Sequence, residues 1–95
     1  MVRHIVFLKL EDNSVANKKV VQERIMSMQG KIDVLKHLEV GINFSPEERA
    51  FDLALVSDFD NKEGLNAYAI NPLHLEVISF LKSIHTVTKV VDYEF

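Results

Sequence analysis

Apolar positions recur along this chain at two spacings, and the switches between them divide it into elements. Residues 2–10, Val-Arg-His-Ile-Val-Phe-Leu-Lys-Leu, are rich in β-branched and aromatic side chains and run into Glu11-Asp12-Asn13-Ser14, so they read as a strand. Successive strand residues point to opposite faces, which sets His4, Val6, Leu8 and Leu10 on one side and Ile5 and Phe7 on the other. Asn13 or Ser14 can cap a helix running from about Val15 to Gln29, where Gly30 stops it. Val21, Ile25, Met28 and Ile32 recur at steps of four, three and four, the spacing of one buried face, with Lys18, Lys19, Glu23 and Gln29 on or near the wet side. From Leu35 to Phe44 the step falls to two, with Lys36, Leu38, Val40, Ile42 and Phe44 on one face. After the polar turn Ser45-Pro46-Glu47-Glu48-Arg49, residues Ala50 to Phe59 alternate again: Phe51, Leu53, Leu55, Ser57 and Phe59 oppose Ala50, Asp52, Ala54, Val56 and Asp58. The two strands form a hairpin.

Asp60 with Glu63 three positions on has the form of a capping box, opening a helix that carries Leu65, Tyr68 and Ala69. Pro72 cannot continue that helix and disfavours helical backbone in the residue before it, so the helix ends near Ile70. Asn71 then caps a second helix with Pro72 at its first position and an apolar stripe of Leu73, Val77, Phe80, Leu81 and Ile84, ending near Ser83-Ile84-His85. Thr86 to Phe95 alternates as a last strand.

The order β-α-β-β-α-β predicts a single α+β domain over residues 1–95, a ferredoxin-like antiparallel sheet with strand order 4-1-3-2 and its helices on one face. A sheet with one face in water should alternate cleanly between apolar and polar, yet the first strand is apolar on both sides. Burying each exposed Ile or Phe is worth roughly 1.5–3 kcal/mol. The pattern therefore predicts a homodimer closed sheet against sheet, with Ile5 and Phe7 in the interface.

A formal net charge of −3 and the lack of any Lys/Arg stripe leave no footprint for nucleic acid. Without cysteine there is no disulfide, thiolate nucleophile or sulfur-ligated metal. Metal-ligand spacings, phosphate loops and dinucleotide fingerprints are absent, the glycines standing alone at 30, 41 and 64, so neither metal nor cofactor is expected. Met1 to Leu10 reads as a strand rather than a signal peptide, and no run of about 20 apolar residues could span a membrane; the expected location is the cytoplasm.

Chemistry concentrates at the break between the last two helices, with Tyr68 before it and His74 in the first turn after it. The positive helix end disfavours a cation there, so His74 should stay neutral near pH 7 and act as a general base, with the Tyr68 hydroxyl as acid or oxyanion donor. His4 shares a face with Val6 and Leu8 and can join them as a third polar group over the helix-sheet layer. The plainer alternative is that Tyr68 packs under the break, His74 holds the loop and His4 is a satisfied core histidine. His37 and His85 fall near element ends and read as solvent residues, and Asp52 and Asp58 read as an exposed sheet face.

His4 to Leu10, Leu38-Glu39-Val40-Gly41, Tyr68 with Asn71-Pro72-Leu73-His74, and Val91 to Phe95 together resemble the stress-responsive A/B barrel (Dabb) family, over nearly the whole chain. The segment Tyr-x-x-His-Pro-x-His is its most specific part, and here Asn71 stands where the family has the first histidine. The resemblance implies a ferredoxin-like domain that dimerises through its sheets into a barrel, with a pocket for a small apolar ligand between sheet and helices. Many members have no assigned activity. One plant member is a polyketide cyclase, and the resemblance implies that Tyr68 and His74 match its catalytic pair and His4 a pocket residue, with Asn71 at the pocket mouth; strand alternation adds Val6 and Leu8, on the face of His4, to the expected lining. Three functions are in play: a dimeric small-molecule-binding domain, a cofactor-free enzyme working by proton transfer or as a monooxygenase, and a stress-protective oligomer without catalysis.

Overall fold

Seven elements follow one another in the computed structural model, which describes residues 1–95: β1 (Val2–Lys9), α1 (Val15–Met26), β2 (His37–Ile42), β3 (Leu53–Phe59), α2 (Lys62–Ala69), α3 (Pro72–Ser83) and β4 (Val87–Glu94). The strands form one antiparallel sheet in the order β2-β3-β1-β4, the predicted arrangement read from the other edge. Register fixes the faces, because directly paired residues point the same way. Val2, His4, Val6 and Leu8 pair with Phe59, Ser57, Leu55 and Leu53 on β3 and with Glu94, Asp92, Val90 and Thr88 on β4. The helices cover this face, where Val21, Ile25, Met28, Ile32, Tyr68, Val77 and Leu81 are buried with the strand residues in one core.

Several boundaries differ from the periodicity, each for a local reason. Ser14 caps α1, its Oγ accepting from the Asn17 N–H at 3.2 Å. The helix stops at Met26 rather than Gln29 because its ladder tightens: Met28 N–H donates to the Ile25 carbonyl and Gln29 N–H to that of Met26, at 3.1 and 3.0 Å. These turns still carry Met28 and Ile32 onto the core side, and Gly30 supplies the left-handed backbone (φ 77°) that closes them. Asn61, not Asp60, caps α2; it has the extended backbone of a cap and its Oδ1 accepts from the Gly64 N–H at 2.9 Å.

The largest correction concerns the two aspartates. Neither is solvated. Asp52 lies just before β3, its N–H donating to the Leu8 carbonyl at 2.8 Å while its Oδ2 accepts from the Leu10 N–H at 2.7 Å. It is thus a buried tie between two chain segments, and it interrupts the alternation: Phe51 leaves Leu53's face and packs on Phe7, ring centres 6.2 Å apart, on the side of the sheet away from the helices. Asp58 is buried on that same open side under Arg3, whose Nε and Nη2 donate to its two oxygens at 2.8 and 2.9 Å. The Arg3 hydrogen bonds hold the Asp58 carboxyl below the usual carboxylate range.

No helix makes more than passing contact with β4, whose residues are exposed along both faces. Phe7, Val91 and Tyr93 leave much apolar surface uncovered on the open face, and Val90 does so on the helix side. His37 and His85 are exposed, as their places near element ends suggested. His85 also closes α3: it adopts a left-handed backbone (φ 57°), its N–H donating to the Lys82 carbonyl and the Thr86 N–H to that of Leu81, both at 3.1 Å.

Candidate functional site

The α2–α3 break is built by capping. Asn71 N–H donates to the Tyr68 carbonyl at 3.1 Å, its Oδ1 accepts from the Leu73 N–H at 2.9 Å, and Pro72 takes the first helical position, where no N–H is needed. This sets His74 in the first turn of α3, folded back over α2. Its Nδ1 lies 3.0 Å from the Ala69 carbonyl oxygen. A carbonyl only accepts, so Nδ1 carries the proton and the lone pair of neutral His74 is left on Nε2. Burial lowers the His74 pKa, outweighing the Ala69 carbonyl that raises it, and nearby His4 lowers it further.

Tyr68 is the centre of the cluster. Only 2% of it is exposed. Its ring centre lies 4.2 Å from that of His74, 5.0 Å from Phe59 and 6.3 Å from His4, the last edge-on at 65°. Burial pushes its phenol pKa up to about 12. The hydroxyl makes no hydrogen bond within the chain, whereas the one fully buried side-chain polar atom left without a partner is Thr86 Oγ1. The Tyr68 hydroxyl therefore keeps a small accessible surface.

His4 faces the helices from β1, and its Nδ1 is held by Asp92 Oδ1, its direct neighbour across the β1–β4 pair. An ionised carboxylate only accepts, so here too the ring is engaged through Nδ1 and offers Nε2. Asp92 was not singled out from the sequence. The signal lay in the strand order, since once β4 is set beside β1 in this register the two polar residues must face each other.

The other pocket candidates divide. Val6 is half-buried next to the core, Leu8 has no exposed surface, and the Asn71 side-chain oxygen is spent on the cap. A hollow of about 410 Å³ opens between α2 and the β1–β4 pair, bordered by Val2, Leu65, Asn66 and Asp92, with Lys62 and Glu94 paired at 3.4 Å on its rim. Its Asp92 wall is the carboxylate that holds His4. A second hollow, of about 430 Å³, lies on the opposite, open face around Phe7 and Phe51. No three His, Asp or Glu side chains gather as metal ligands, and no helix is long and apolar enough to cross a membrane.

The same arrangement of elements occurs in known proteins. A dimeric protein of unknown function with a ferredoxin-like fold from Bacteroides fragilis superposes with a TM-score of 0.83 at 38% identity, covering 99% of this chain and 95% of that one. An uncharacterised protein of Streptomyces coelicolor is 30% identical over 98 residues, spanning 100% of both chains. A stress-response A/B barrel domain-containing protein of Arabidopsis thaliana is 31% identical over 102 residues, which cover 98% of this chain and 46% of that protein. The model of one family, described as the stress responsive A/B barrel domain, matches residues 2–95, and the chain belongs to that family.

Proposed function

We propose that this domain works as a homodimer closed sheet against sheet, each protomer binding a small, largely apolar molecule with a carbonyl or similar oxygen at the His4–Tyr68–His74 cluster. The observation that carries this is the unbonded Tyr68 hydroxyl, a phenol buried all but for a small accessible surface with two imidazoles beside it. A fold that needed Tyr68 only for packing would be served by phenylalanine. The hollow between α2 and the β1–β4 pair adjoins the cluster only through Asp92, the partner of His4, and the open face with Phe7, Val91 and Tyr93 offers an apolar surface for the second copy. The Bacteroides fragilis relative described as dimeric supports the assembly.

A second reading, proton transfer without a cofactor, is favoured by the His74 tautomer. Nε2 is the free base, the pKa is lowered so that the ring is neutral at pH 7, and the Tyr68 hydroxyl can donate to an oxygen on which negative charge develops. Atoms balance if His74 takes a proton from carbon and returns it to product, with Tyr68 as hydrogen-bond donor throughout.

The test is mass spectrometry of small molecules released on denaturing the natively purified protein, alongside Tyr68→Phe and His74→Ala, and imidazole NMR of His74 during titration with small carbonyl compounds. The reading expects a molecule released by the wild type and depleted in both variants, or a His74 shift abolished by Tyr68→Phe. No retained molecule and no His74 response across the panel would overturn it. The dimer is tested separately: Phe7→Glu should give a monomer or an aggregate, and a soluble Phe7→Glu dimer in light scattering would refute the sheet-face contact.

A further inference from the structure

We draw no further inference here: the strongest candidate, the hollow of about 430 Å³ lined by Phe7, Phe51 and Ala54 on the open face of the sheet, belongs to an apolar surface for which nothing in the structure shows what covers it.

Discussion

Replacing Tyr68 by phenylalanine separates what the phenol does for the fold from what it does for a ligand. The ring is buried among Phe59, His4 and His74, so Tyr68→Ala should cost about 3–5 kcal/mol, the range for removing a buried aromatic. The hydroxyl has no partner in the chain, so Tyr68→Phe should change stability at pH 7 by no more than about 0.5 kcal/mol. Alkaline pH gives a second, independent magnitude. Burial raises the Tyr68 pKa to about 12, against 10.0 for an ordinary tyrosine, so the unfolded chain ionises first. The contribution is fully present below pH 10 and is lost as pH rises through 12. At pH 11 that difference amounts to about 1.4 kcal/mol, by which the wild type should fall relative to Tyr68→Phe. Tyr93 is present in both proteins and cancels. Urea unfolding at pH 7 and pH 11 reads both numbers. If Tyr68→Phe loses more than about 1.5 kcal/mol at pH 7, the hydroxyl is hydrogen-bonded within the fold and the proposed ligand contact has no free donor.

Four further outcomes follow from the geometry. The lowered His74 pKa means that the unfolded chain takes up a proton first, so stability is complete above about pH 6.5 and falls as pH drops below it; urea midpoints should show a shallower fall in His74→Gln. Asp58 titrates below its ordinary range because of Arg3, so Asp58→Asn should lower the melting temperature at pH 7, with the gap to wild type closing as pH falls below 4 and the wild-type carboxylate protonates. His85 pays for a left-handed backbone that glycine adopts freely, and His85→Gly should raise stability by up to about 1 kcal/mol in urea unfolding. Thr86→Val removes a buried hydroxyl without a partner and should be neutral or stabilising by about 1 kcal/mol in the same assay.

The elements of the core were legible because periodicity reports burial directly. Val21, Ile25, Met28 and Ile32 all reach the core although α1 ends before the last two, since tight turns preserve the side on which a residue emerges even where the hydrogen-bond pattern changes. Alternation failed where one side chain replaced a strand hydrogen bond. Asp52 looks in the sequence like one member of a solvated stripe with Asp58, and only the tertiary meeting of residues 8, 10, 43 and 52 reveals that it serves three backbone groups at once. Asp58 was hidden differently. Its partner Arg3 lies 55 positions away, and an aspartate on an open sheet face reads as wet until a guanidinium is found to cover it.

At the site, spacing along the chain identified the pair that a single break brings together, and it left out the residue that a strand pairing brings. Tyr68 and His74 are six residues apart across one capped turn, so local rules suffice to bring their rings into contact, centres 4.2 Å apart and tilted by 44°. Asp92 meets His4 across 88 positions, and its role depends on the β1–β4 register, which no local pattern specifies. The consequence is chemical as well as geometric. His74 is held by a backbone carbonyl and His4 by a carboxylate, so the two imidazoles that flank Tyr68 are anchored at the same ring atom by partners of different charge. A carbonyl on Nδ1 fixes the His74 tautomer, and with the pKa lowered by burial this leaves a neutral ring whose Nε2 lone pair lies beside the buried phenol.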